Sequence, residues 1–336
     1  MKKNTLTHCL TFFTIVLFSQ TTIYTKQYTV AEMRANALNY TNRLHHLKTP
    51  IPIKKNHPPP AKDALWQKLK KYIPKKYRNF LIIIPSYNNK NWFKKNLDSV
   101  FIQDYPSYKV IYIDDCSSDK TSDLVEKYIK EKHLEDKIIL VKNKQRILAL
   151  ANIYASIYAY GHNDDIAVVL DGDDWWNHDH VLSLINKVYD KFDIWMTYGQ
   201  HELYPSGKIG IAQKLPDTII QTNSFRNYKW VTSQQRTFYV WLFKLIKPED
   251  LLYKGDFFPV AGDLATMFPM LEMAGKAGKT GKERSMFIQD VIYIYNRETP
   301  LNNTKIKKKA IFTSLNNFIR QKKHYSALEK RPDLSN

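Results

Sequence analysis

The hydrophobic pattern changes character at Phe80. Upstream of it, apolar residues are scattered; downstream, short wholly apolar runs alternate with stretches of helical periodicity. Phe80-Leu81-Ile82-Ile83-Ile84, Lys109-Val110-Ile111-Tyr112-Ile113, Ile138-Ile139-Leu140-Val141 and Ile166-Ala167-Val168-Val169-Leu170 read as strands buried on both faces. A strand with one wet face would alternate apolar and polar residues instead. Helices are predicted near 91–103, 121–132 and 147–160. Later strands are predicted over 194–201 and at Val291-Ile292-Tyr293-Ile294-Tyr295, and an aromatic helix headed by Arg236 runs to Phe243. Strand and helix in alternation imply right-handed crossovers, hence an α/β fold with a Rossmann-like, mainly parallel sheet flanked by helices on both faces.

Ahead of that pattern lie two segments of other kinds. Met1-Lys2-Lys3 opens a stretch with no Asp, Glu, Lys or Arg until Lys26, and within it Leu10 to Phe18 is almost wholly apolar. A basic start and a short apolar run fit a secretory signal better than a full membrane span, which needs about 20 residues. No clean cleavage site follows, so an uncleaved anchor stays open. Residues 26–78 carry Pro50, Pro52 and Pro58-Pro59-Pro60 and read as an extended stem. The expected organisation is a signal or anchor over 1–25, a basic Pro-rich stem over 26–78, the α/β domain over 79–300 and a basic C-terminal helix or tail over 301–336. Export or membrane anchoring is expected ahead of a cytoplasmic location.

Composition narrows the function. The chain has 336 residues, 43% of them hydrophobic, enough for a substantial core. Its formal charge is +19, with Lys and Arg crowded over 48–78 and 305–331. No zinc-finger spacing or recognition-helix motif accompanies them. The charge therefore reads as solvated flanks able to meet an anionic membrane surface, not as specific nucleic-acid binding. Of the two cysteines, Cys9 lies in the apolar N-terminal run, which excludes a disulfide framework and a cysteine zinc site.

Ligands of open parallel sheets bind beyond the carboxyl ends of the strands. The first strand ends in Pro85-Ser86-Tyr87-Asn88, the second in Asp114-Asp115-Cys116-Ser117-Ser118-Asp119, the fourth in Asp171-Gly172-Asp173-Asp174-Trp175. So many carboxylates at one edge would repel one another unless a cation joined them. Mg²⁺ or Mn²⁺ suits carboxylate oxygens and keeps positions open for phosphate, so a nucleotide diphosphate is the economical ligand. Singly the motifs are weak: the first is an ordinary turn, and Asp114 or Asp119 can cap a helix. In this order at successive strand ends they are specific.

These residues resemble glycosyltransferase family 2, inverting enzymes of the GT-A fold, over about 79–297. The match rests on Ile84-Pro85-Ser86-Tyr87-Asn88, Asp114-Asp115-x-Ser117-x-Asp119 and Leu170-Asp171-Gly172-Asp173-Asp174. The resemblance implies that Pro85, Ser86, Tyr87 and Asn88 line the donor's nucleoside pocket and that Asp115 bonds the base. It implies that Asp171 faces the ribose and sugar, and that Asp173 holds the metal, with Asp171 beside it and Asp174 either assisting or only orienting the loop. Arg146 and Asn152 become candidates near the sugar and diphosphate. Arg236 becomes a clamp on phosphate or acceptor, and Arg297, after the last strand, a partner of the diphosphate.

The implied base is Asp263, at the head of a helix, with Glu272 two turns on as the weaker choice and a helix cap as the alternative role for Asp263. Val260 and Ala261 stand where the family often has a second acid, so this part of the match is partial. His201 borders the acceptor side, either as a ligand or as a hydrogen-bonded loop histidine. The implied reaction moves a sugar from a nucleotide-diphosphate sugar, UDP-linked by preference, to a hydroxyl on a glycan, lipid or protein. Two rivals remain: a nucleotidyltransferase, disfavoured because Pro85-Ser86-Tyr87-Asn88-Asn89 lacks glycine, and an exported non-catalytic sugar-binding module derived from the fold.

Overall fold

The computed structural model describes residues 64–276, 281–299 and 309–334. The expected signal or anchor and most of the expected stem lie outside them. Among the described residues no helix is long and apolar enough to cross a membrane.

The chain enters as helix α1 (Ala64–Leu69) and reaches β1 (Phe80–Ser86), every residue of which is buried. Then follow α2 (Phe93–Phe101), β2 (Tyr108–Asp114), α3 (Thr121–Lys132), β3 (Ile138–Lys142), α4 (Leu148–Tyr160) and β4 (Ile166–Val169). The four strands pair in parallel in the order β3-β2-β1-β4, with Ile83 facing Ile111 on one side and Val169 on the other. Both neighbours of β1 are strands and both its faces carry helices, hence its unbroken apolar run. In α3, Val125, Tyr128 and Ile129 recur at helical spacing and are its buried stripe.

Along the second half of the sheet the strand direction reverses three times. After β5 (Trp175–Trp176) and α5 (Val181–Phe192) come β6 (Met196–Tyr204), β7 (Lys208–Ile209) and α6 (Asp217–Gln221). Next are β8 (Arg236–Tyr239), α7 (Val240–Lys244), β9 (Leu252–Tyr253), β10 (Asp256–Phe257), α8 (Gly262–Ala274), β11 (Ser285–Asn296) and α9 (Lys309–Gln321). The sheet continues β4-β8-β6-β11-β5. β8 runs antiparallel to β4 and β6, while β6 and β11 are parallel. The aromatic helix expected from Arg236 is thus a correction: residues 236–239 form a strand, with Val169 opposite Arg236, and the helix begins only at Val240. Reversal puts the start of β8 at the sheet edge where the parallel strands end.

Two cores flank the sheet. One gathers α2, α3 and α5; the other gathers α4, α7 and α8, and Leu315 and Ile319 of α9 are buried in it. The end of the expected stem is docked. Asp290 of β11 accepts the amides of Leu65 and Trp66 at 2.9 and 2.7 Å, and Asp190 of α5 accepts from Tyr72 Oη and the Lys75 amide at 2.7 and 2.8 Å. β11 slips its register against β6 between Ile288 and Val291 and again before Tyr293.

Candidate functional site

At the ends of β1 and β2 the side chains first hold the loops together. Ser86 is buried; its hydroxyl meets Tyr112 Oη at 2.8 Å and accepts from Asn89 Nδ2 at 3.0 Å. Asn88 sits in the left-handed region (φ 55°), which Asn tolerates, and its Oδ1 accepts the Ser118 amide at 2.9 Å. Asp119 accepts the amides of Thr121 and Lys90, the capping role left open above. Asp114 accepts the Ser117 amide at 3.0 Å, and burial raises its pKa.

Asp115 is 3% exposed. Its carboxylate accepts from Asn143 Nδ2 and from the Ile147 and Leu148 amides, all at 2.9 Å. These bonds fix the turn into α4, where Leu148 has φ 73°. Arg146 lies 3.9 Å from Asp115 and stacks on Tyr87, its guanidinium carbon 3.7 Å from the ring centroid. Tyr87, Arg146 and Asp115 thus form one flat, half-open end. Asn152, 3% exposed, accepts from Asn143 at 2.8 Å, while its own Nδ2 is buried and unpartnered.

The loop after β4 folds tightly against β1. A Cβ on Gly172 would lie 2.7 Å from Ser86 Cβ, so only glycine lets the two motifs touch. Within this loop three acids separate in role. Asp174 is 1% exposed; it accepts Tyr293 Oη at 2.5 Å and the Asn296 amide at 2.7 Å. Burial, with Asp173 and Asp171 adding to it, holds its carboxyl well above the usual range. Both oxygens of Asp174 are taken, so it anchors the loop and is not open to the metal-assisting role expected of it. Asp171 and Asp173 are half-buried. Burial and the neighbouring Asp171 push Asp173 up to about 7, and Thr299 bonds its side chain. Burial likewise raises Asp171, with Asp263 adding to the rise and Arg236 opposing it.

Of the carboxylates expected to crowd this edge, Asp171 and Asp173 are the two of the β4 loop not taken up by anchoring the loop. Among the described residues no group of three or more His, Cys, Asp or Glu is arranged to hold a metal ion. Asp171 and Asp173 nonetheless fit a hard divalent cation that takes its other oxygens from a phosphate, because two half-buried carboxyls disfavour each other's ionisation and a cation reverses that.

Beyond Asp171 opens a cavity of about 660 Å³. Asp171, Gln234, Arg236, Asp263, His201 and Arg297 line its polar part. Gln234 bridges two of them: its Nε2 donates to Asp171 Oδ2 at 3.0 Å and its Oε1 accepts Arg236 Nε at 3.1 Å. Arg236 Nη1 then lies 3.8 Å from Asp263 Oδ2. Ala261 (φ 60°) turns the chain into α8, and Asp263 is its first acid. Asp263 accepts only the adjacent Leu264 amide, at 3.0 Å, and its side chain is 33% exposed. His201 is 5% exposed, with Nδ1 unpartnered; burial and Arg236 lower it to about 4, so its imidazole is neutral.

Glu272 is nowhere near this cavity in role. It is wholly buried and paired with Arg226, which removes it as a base. Pro85, Ser86 and Asn88 brace loops, whereas Tyr87, Asp115 and Arg146 form one end, Asn152 stands behind them, and Asp171, Arg236, Asp263 and Arg297 meet in the cavity. Gln234, Tyr293 and Thr299 escaped the sequence reading. Only the polar pair Gln234-Gln235 ahead of Arg236 offered a signal.

Comparison with known proteins supplies a second line. Residues 81–241 match the model of Glycosyl transferase family 2. The putative teichuronic acid biosynthesis glycosyltransferase TuaG of Bacillus subtilis is 33% identical over 99 residues, 29% of this chain and 37% of that protein. The poly(ribitol-phosphate) beta-N-acetylglucosaminyltransferase TarS of Staphylococcus aureus is 38% identical over 58 residues, 17% of this chain and 10% of that protein. The chain thus spans about a third or less of these curated relatives. Among solved structures, S. aureus TarS 1-349 in complex with UDP-GlcNAc aligns with a TM-score of 0.53 at 19% identity, covering 72% of this chain and 65% of that one. The shared architecture is the GT-A-like α/β fold.

Proposed function

We propose that this chain, whose residues 81–241 match the Glycosyl transferase family 2 model, transfers a glycosyl group from a nucleoside-diphosphate sugar to an acceptor hydroxyl with inversion. The acceptor oxygen attacks the anomeric carbon, the bond from that carbon to the diphosphate oxygen breaks, and the acceptor proton passes to Asp263. A single displacement needs no enzyme nucleophile, and none is proposed.

One observation carries this reading: Asp171, Gln234, Arg236 and Asp263 form a continuous chain of contacts across one cavity. The chain joins the donor side, at the end of β4, to a half-exposed carboxylate at the head of α8. Tyr87 and Arg146 supply a stacking face for the base, and Asp115 has its carboxylate behind them. Arg236 is set to neutralise charge as the diphosphate departs, and Arg297, which lines the same cavity, to do so from the acceptor side. A bound Mg²⁺ or Mn²⁺ would supply positive charge to the diphosphate from Asp171 and Asp173. A UDP sugar is the donor we favour, in keeping with the relative that holds UDP-GlcNAc.

The test is nucleoside diphosphate release across a panel of UDP, GDP and dTDP sugars, with Mn²⁺ or with a chelator. Release is expected with one donor class and only with the metal. Asp173→Ala should abolish the metal dependence together with turnover; metal-stimulated release that survives Asp173→Ala would refute the metal assignment.

A further inference from the structure

The cavity has a mixed lining. Asp171, Gln234, Arg236 and Asp263 line it together with several aliphatic side chains. Ile153 of α4 and Val260, both half-buried, and Ile209 and Ile211 on the β7 hairpin line it, with Leu150 and Met267 buried among its lining residues. Phe312 of α9 adds an aromatic edge. Ile209 and Ile211 are 42% and 59% exposed, two neighbouring branched aliphatic side chains at the edge of the same cavity. Gly210 between them is required: a Cβ there would lie 2.1 Å from the His201 ring, so only glycine lets the hairpin lie flat on the imidazole and present both isoleucines.

A glycan extended over the aliphatic part of the lining would leave the hydroxyls that lie there unpaired, at a cost in desolvation. An alkyl chain would instead cover apolar surface that water now wets.

We infer that the acceptor is an amphiphile, with its hydroxyl-bearing head beside Asp263 and Arg236 and an alkyl or prenyl chain along Ile153, Val260, Ile209 and Ile211. This rests on the glycosyl-transfer reading above and names the acceptor class of that same site. That these aliphatic side chains and the Asp263 cluster line one and the same cavity carries it. Ile209 and Ile211 are specificity residues in this scheme.

The test compares two probes on the full-length protein: methyl β-glucoside and n-octyl β-glucoside, the latter below its micelle concentration, each titrated calorimetrically. Each buried methylene is worth roughly a fourfold factor in affinity. The octyl probe should therefore bind at least about tenfold tighter than the methyl one. Ile209→Asp and Ile211→Asp should erase most of that preference with the thermal melt unchanged, since both side chains are exposed. Equal affinity for the two probes would overturn the inference. So would a preference that survives both aspartate substitutions, because the chain would then be binding elsewhere. Nucleoside diphosphate release, measured separately, keeps the two readings apart. Release with equal KM for both probes overturns the amphiphile alone. An octyl preference with no release from any donor overturns glycosyl transfer and leaves the apolar subsite standing.

Discussion

Two arginine–carboxylate pairs lie at opposite ends of α8, and they are built to different specifications. At the C-terminal end Arg226 grips Glu272 with both arms, Nε to Oε1 at 2.6 Å and Nη2 to Oε2 at 2.9 Å, with side chains 1% and 0% exposed. The remaining arm donates to the Ile319 carbonyl at 2.6 Å, and the Tyr325 amide donates to Glu272 at 3.0 Å. At the N-terminal end Arg236 and Asp263 stand 3.8 Å apart, 11% and 33% exposed. The first pair satisfies its charges internally and ties α9 and the segment after it to α8. The second pair is looser, and both its members line the cavity. Packing makes the first pair a rivet and leaves the second facing open space.

The largest break in that contrast should come from Glu272→Ala. It strands a buried guanidinium, and losing one partner of a buried pair costs about 3–5 kcal/mol. Chemical denaturation reads this directly. A loss of turnover with stability intact would instead assign the pair to the chemistry. Asp263→Asn is the mirror experiment: transfer should fall by about 10²–10⁴-fold, the range for a general base, while the denaturation midpoint stays put. A large loss of stability there would make Asp263 a structural residue.

A third pair sits between these extremes. Arg78 meets Asp190 at 3.1 Å, with side chains 15% and 4% exposed. Burial raises the Asp190 carboxyl, but bonds from the Lys75 amide, Tyr72 and Arg78 outweigh it and hold the group below its ordinary 3.8. A folded-state pKa below the unfolded one means stability that is present above pH 3.8 and lost as the pH falls through the folded value. Denaturation midpoints of the native chain and Asp190→Asn should therefore differ near neutrality and converge in acid. At the bottom of the scale, Lys94 and Asp98 touch at 2.6 Å but are 64% and 37% exposed. Lys94→Ala should cost no more than about 0.3–0.5 kcal/mol, less still in high salt.

What could be read from the chain follows the same division. β1, β2, β3 and β4 were legible because burial on both faces leaves no alternative to an apolar run, and the strand-end motifs followed from the parallel order. Arg236 was misassigned to a helix because a four-residue strand leading into a five-residue helix is too short for either period to register. Asp173 and Asp174 are adjacent and identical in type. Only Tyr293 and Asn296, 119 and 122 residues away, decide which is the anchor. Gln234 joins Asp171 across 63 residues, and nothing local marks it. Side chains whose role depends on a distant partner are silent in one sequence.

β11 carries a constraint on length. Asp290 on it holds the amides of α1, while Tyr293 and Asn296, three and six residues on, hold Asp174. Insertion or deletion of one residue between 290 and 293 would turn one set of side chains to the opposite face of the sheet, since the strand repeats every second residue. The register slips there already set the spacing. Natural relatives that keep both attachments should vary in sequence along this strand yet share its length, and engineered insertions should be tolerated in the loops on either side of it before they are tolerated here.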